Sequence, residues 1–315
     1  MSGQTATPWV LLFSAIGTLV PGAASAYVRE VTSTGMPLAW KNPCVTMHLF
    51  LGAPPPVLTA DQFLQAATLG GDVWSQPALA CSDIRLSMVA EADATADVGY
   101  DKRNIIAFRT QTWCASSSPT ASADDTTCYP HSALAVTTLF KNKSTGEILD
   151  ADIAFNAVDY TWGDLVALPD LSSGETVDFQ NALTHELGHV IGLDHSCYAP
   201  ADGQGRQLDN TGSPEVDCYG NPPPPPSIAE STMYPSVSLS DIVRRDLSLD
   251  DELGACEIYP YVHAACPAGG ESGGCTTLVA ISPNTGAATT VGAFATTTLV
   301  AGLLLLLYRR RGKRI

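Results

Sequence analysis

The sequence predicts an α+β domain, and three observations carry that expectation. Five short runs rich in β-branched and aromatic residues occupy 44–51, 84–90, 104–110, 133–140 and 146–156, each bounded by polar or Gly-containing turns. Two segments, 59–76 and 175–191, instead space their apolar residues with a helical period. Both kinds of element lie between terminal segments of different composition, so a single domain flanked by targeting sequences accounts for the 315 residues.

The elements follow in chain order. Residues 9–20, WVLLFSAIGTLV, are apolar but too few to span a bilayer, and the small residues Ala24, Ser25 and Ala26 follow. This predicts a signal peptide over 1–26, cut before Tyr27, although no Lys or Arg precedes the apolar run. CVTMHLFL from Cys44 reads as the first strand, and Thr59 is placed to cap the helix that follows. Four further strand-like runs lead to ETVDFQNALTHELGHVI, where Phe179, Ala182, Leu183, Leu187 and Val190 fall on compatible helix faces. Gly188 and Gly192 weaken that helix and signal close packing or a stop. Residues 196–230, with five prolines at 222–226, predict a long surface loop, and LSLDDELGACEIYP at 247–260 a short closing helix. Residues 263–286 read as a Gly/Ser/Thr-rich tether. Residues 287–308 carry no charge and precede the basic tail 309–315, the pattern of a transmembrane helix with its basic end in the cytoplasm.

Charge and cysteines agree with export. The chain has 16 Lys and Arg against 32 Asp and Glu; without the five basic residues of the tail, the exported part carries −21. Such a field repels nucleic acid, which is excluded as a partner, and makes bound calcium plausible. Nine cysteines in an exported chain predict disulfides, with nearest neighbours pairing as 44 with 81, 114 with 128, 197 with 218 and 256 with 266, and Cys275 left over.

The chemistry concentrates in HELGHVIGLDH at 185–195. On a helix, His185 and His189 share a face and can reach one ion about 2.0–2.1 Å from each nitrogen. His195 supplies a third ligand if the chain turns back at Gly192, a residue free to adopt positive φ. Three neutral imidazoles leave a zinc ion one open position, the arrangement of a catalytic site, and Glu186 stands beside the first ligand as a general base. Lone histidines usually sit in cores hydrogen-bonded to backbone, but five matched positions of HExxHxxGxxH outweigh that explanation.

This motif, with Ser196 after the third histidine, resembles that of the metzincin zinc endopeptidases, and within them the matrixins and their bacterial relatives. STMYP at 231–235 is similar to the family's Met-turn, and 247–260, with Asp250 and Asp251, to its closing helix. The resemblance covers roughly residues 36–262. It implies a metzincin-like catalytic domain over 27–262 with a twisted, mostly parallel five-stranded sheet and an active-site helix, and hydrolysis of internal peptide bonds of protein substrates. It further implies Met233 as a hydrophobic floor beneath the zinc and an edge strand near 133–141 that aligns an extended peptide by strand addition. Asp150 and Asp152, in the TGEILDADIAFN strand, are candidates for binding calcium, with a solvent-facing or capping role as the alternative. No inhibitory cysteine segment is found, His48 and His131 do not suffice for a second zinc, and Tyr234 follows Met233 too closely for a catalytic role.

The tail resembles the C-terminal sorting segments of myxobacterial surface proteins, which implies anchoring at the cell surface and processing near Cys275; a plain single-pass anchor is the alternative. The expectation is thus a monomeric, exported, surface- or membrane-attached zinc protease acting on proteins or peptides. The rival is a surface adhesin or binding module with a structural metal site.

Overall fold

Hairpin and crossover lengths in the chain determine which strands run parallel. The computed structural model describes residues 27–263, apart from 53–56, 76, 93–95, 117–127 and 201–204, together with Cys266. Strand β1 (Ala39–Trp40) pairs parallel with the start of β6 (Glu147–Asn156). Strand β2 (Cys44–Phe50) pairs parallel with both β3 (Arg85–Glu91) and β4 (Ile105–Arg109), and β4 pairs parallel with the end of β6. Only β5 (Ala135–Lys141) is antiparallel, running alongside β6 from Ala135 opposite Phe155 to Lys141 opposite Ile148. Parallel neighbours need long crossovers, and helix α1 (Ala60–Val73) supplies the one between β2 and β3. The five residues 142–146 between β5 and β6 permit only a hairpin. There Asn142 accepts N–H bonds from Ser144 and Gly146, and Gly146 takes the positive φ of the turn.

The result is an α+β domain with a mostly parallel sheet. Five strands were expected and all five are present; the sixth, β1, is two residues long and leaves no periodicity to read.

The central strands β4 and β6 are buried on both faces, which suits their nearly continuous apolar runs. On one face Met47, Leu49, Ile106, Phe108, Ile153 and Phe155 meet the helices, and Phe63 of α1 stacks on Phe108 and Phe179 with centroids 4.9 and 4.3 Å away. On the other, Phe50, Ile105 and Ala107 form a smaller cluster. Helix α1 begins as expected at Thr59, which closes a capping box with Gln62.

A second small sheet, β7 (Thr161–Gly163) with β8 (Thr176–Asp178), delivers the chain to helix α2 (Phe179–Val190). The helix expected from 175 therefore starts four residues later, because Thr176–Asp178 pair with β7 and Asp178 becomes the cap. The described residues of the 196–230 stretch are irregular apart from the four-residue α3 (Pro226–Ala229), and α4 (Leu249–Ile258) closes the domain behind a capping box of Ser248 and Asp251.

Disulfides Cys114–Cys128 and Cys197–Cys218 pair as the spacing suggested. The other two do not: Cys44 joins Cys266 and Cys81 joins Cys256. Nearest-neighbour pairing fails here because the end of α4 returns to the start of β3. Asp83 donates its N–H to the Tyr259 carbonyl and Tyr261 to that of Cys81, both at 2.9 Å, so distant cysteines are brought together. Four disulfides fit an exported protein. Among the described residues no helix is long and apolar enough to cross a membrane. The expected signal peptide (1–26), nearly all of the expected tether, Cys275, the expected 287–308 transmembrane segment and the basic tail lie outside those residues.

Candidate metal centre

Helix α2 is fixed at its start by charge. Asp178 caps it, accepting the Asn181 N–H at 2.8 Å, and Arg245 reaches back so that its guanidinium donates to Asp178, Asp164 and Gln180. An anion at a helix N-terminus offsets the macrodipole, and the arginine neutralises an aspartate that is otherwise wholly buried.

Two turns along, His185 and His189 project from one face with ring centroids 4.9 Å apart. The helix ends after Val190. Gly192 follows at φ +95°, and a Cβ there would lie 2.6 Å from the Leu38 carbonyl oxygen, so no other residue turns the chain here without strain. The N-terminal segment holds the turn in place: Glu30 donates its N–H to the Gly192 carbonyl, and Asp194 donates to that of Val28, both at 2.9 Å. His195 thereby swings back, its ring 4.9 Å from that of His189 and 5.3 Å from that of His185.

The ligand atoms of the three histidines all lie within 4.8 Å of one another, so the site could hold a metal ion. The tautomers suit that use. Nδ1 of His185 is 2.7 Å from the Thr232 carbonyl oxygen and Nδ1 of His189 is 2.9 Å from that of Leu193. A neutral imidazole bonded to a carbonyl must carry its proton on Nδ1, leaving the Nε2 lone pair for an ion. Burial, then the neighbouring His189 and His195, push the pKa of His185 well below the ordinary value of 6.5. It therefore stays neutral, the form that ligates.

Met233 is 2% exposed and packs against Gly188 of α2, where an added Cβ would come 2.2 Å from the Met233 sulfur. Gly188 thus makes room for Met233 between the two ligand-bearing positions. Asp251 of α4 orients this turn by accepting the N–H groups of Thr232 at 2.7 Å and Met233 at 3.2 Å. Thr232 then presents its carbonyl to His185.

Glu186 is mostly buried, and its Oε2 accepts a 2.6 Å hydrogen bond from the Thr137 hydroxyl of β5. Asp150 and Asp152 are placed elsewhere, on the face of β6 away from α2. All four of their oxygens accept backbone N–H groups, from Asp101, Lys102 and Ala151 for Asp150 and from Gly99 and Ile105 for Asp152. They pin loop 99–105 to the sheet, and a calcium ion there would have to displace those amide donors. Among the described residues, the histidine triad is the one group of three or more His, Cys, Asp and Glu side chains whose ligand atoms converge.

Several contributors left no sequence signal of their own. Thr137 is one of two adjacent threonines in a strand, Arg245 one of two adjacent arginines, and the 27–38 segment has no regular periodicity. Asp251 was marked only through the likeness of the closing helix.

No family model and no curated protein matches the chain. Among solved structures, a chain of the "GM1 bound form of the ECX AB5 holotoxin" is similar at 12% identity, covering 75% of this chain and 89% of that one, with a TM-score of 0.37.

Proposed function

We propose that the domain is a zinc-dependent endopeptidase of the matrixin-like metzincin kind, cleaving internal peptide bonds of proteins outside the cytoplasm. The observation that carries this reading is the convergence of His185, His189 and His195 with Glu186 at the same turn of α2. The donor set is what zinc prefers: three imidazoles, two of them oriented by carbonyl oxygens, with no fourth His, Cys, Asp or Glu converging on them among the described residues. When bound, zinc supplies Lewis acidity to the scissile carbonyl and makes water a better acid at neutral pH.

The chain's own residues do the rest. Glu186 takes a proton from the attacking water and returns it to the departing amine, the work of a single carboxylate beside the reacting atoms. Met233 gives the histidines a rigid apolar floor. Strand β5 pairs only with β6 among the described strands, and its residues are all partly exposed. Its outer edge can therefore take an extended peptide by backbone hydrogen bonds, gripping substrate with little regard to side chains. The four disulfides support export, and the 287–308 segment supports attachment to the membrane or cell surface.

The test is Glu186→Gln in the full chain. It should bind one zinc as the wild type does and lose about 100-fold or more of its peptide hydrolysis. A zinc-loaded wild type that cleaves nothing in a diverse peptide library would favour the binding-module alternative.

A further inference from the structure

We propose that Thr137 is the positioning residue for Glu186, so that the edge strand β5 aims the general base as well as offering its edge to the peptide. This rests on the peptidase reading above and adds a role for a residue outside the motif. The observations are geometric. Thr137 pairs with Ile153 of β6, whose side chain belongs to the helix-side core, so the threonine also points toward α2. Its Oγ1 lies 2.6 Å from Glu186 Oε2 but 3.4 Å from the Glu186 carbonyl oxygen, so the carboxylate takes the proton of that hydroxyl. A β-branched residue in a strand has little χ1 freedom, which makes the hydroxyl a fixed pointer where a serine would swivel.

A glutamate has three side-chain torsions. Without a partner it would sample many positions relative to the substrate, and only a narrow range lets it reach the attacking water. The hydrogen bond engages one oxygen and leaves Oε1 for the proton transfer.

Three variants test this: Thr137→Val, which keeps shape and removes the hydroxyl, Thr137→Ser, which keeps the hydroxyl, and Glu186→Ala. In the full chain loaded with zinc and assayed on a quenched-fluorescent peptide library, Thr137→Val should lower kcat about 10- to 100-fold. KM should stay within about twofold and zinc stoichiometry should be unchanged, while Thr137→Ser, which keeps the hydroxyl but lets it swivel, should recover part of the rate. An unchanged kcat, an effect confined to KM, or loss of zinc in Thr137→Val would each overturn the assignment. Independently of activity, the urea midpoints of the metal-free wild type, Thr137→Val, Glu186→Ala and the double variant form a cycle. Non-additive midpoints support the contact, and additive ones overturn it, even if the wild type proves to cleave no peptide and the peptidase reading fails.

Discussion

Asp152 shows what a single buried charge does to this protein. Burial pushes its carboxyl up to about 7 from 3.8; the N–H of Gly99 pulls against that, and the nearby Asp150 adds to it. Between those two values the folded protein holds a proton that the unfolded chain has released, so this group's contribution to stability falls as pH rises from about 4 through 7. The urea midpoint of the wild type should decline over that window, and Asp152→Asn should flatten the decline. An identical slope in both proteins would show that another group is responsible. The same scale governs Glu186, whose substitution by Gln is the test that would separate zinc binding from turnover in the proposed peptidase. It also governs Thr137, a residue that no spacing rule marks, because its partner lies 49 positions away and meets it only when β5 packs on α2.

At the scale of elements, α2 holds His185 and His189 in place for the triad because three other segments brace it. Its start is tied through Asp178 to Arg245, its middle rests on Met233, and its end is turned by Gly192 against Leu38. Arg245 is the sharpest test of this arrangement. Its Nε donates to Asp178 at 2.9 Å and its Nη1 to Gln180 at 2.9 Å, in a largely buried cluster. Arg245→Ala leaves Asp178 buried without its counter-ion and should destabilise the fold by about 3–5 kcal/mol, read from urea unfolding. A loss below about 1 kcal/mol would mean that the cap and its N–H bonds hold Asp178 unaided. The existence of α1, α2 and α4 was legible in the sequence because each carries an apolar period or a capping residue. Their limits were less so: β8 occupies Thr176–Asp178 at the expected start of α2, since pairing with β7 outweighs local periodicity.

For the whole molecule, the two long-range disulfides matter most. Cys44–Cys266 and Cys81–Cys256 span 222 and 175 residues and tie β2 and the lead-in to β3 to α4 and the segment after it, whereas Cys114–Cys128 spans 14. Cross-links that close long loops remove more entropy from the unfolded chain. The double variant Cys81→Ser/Cys256→Ser should therefore lose about 2–5 kcal/mol and fall in melting temperature more than Cys114→Ser/Cys128→Ser. Mass spectrometry of unreduced proteolytic fragments checks the pairing itself, and a peptide linking Cys44 to Cys81 would contradict the structure.

What the sequence determined by itself is local: the five main strands and helices α1, α2 and α4, whose side-chain periods or caps are written in nearby residues, and the candidates His185, His189, His195 and Glu186, whose spacing matches one turn of helix and one reversal at Gly192. Tertiary structure alone decided that Cys44 meets Cys266 and Cys81 meets Cys256, that Asp150 and Asp152 bond to a loop, and that Thr137, Arg245, Asp251 and the 27–38 segment brace the elements that carry the triad. Those contacts join residues from 18 to 222 positions apart. A period of 2 or 3.6 reports which face a residue takes, but only the packing of one element on another reports what it faces.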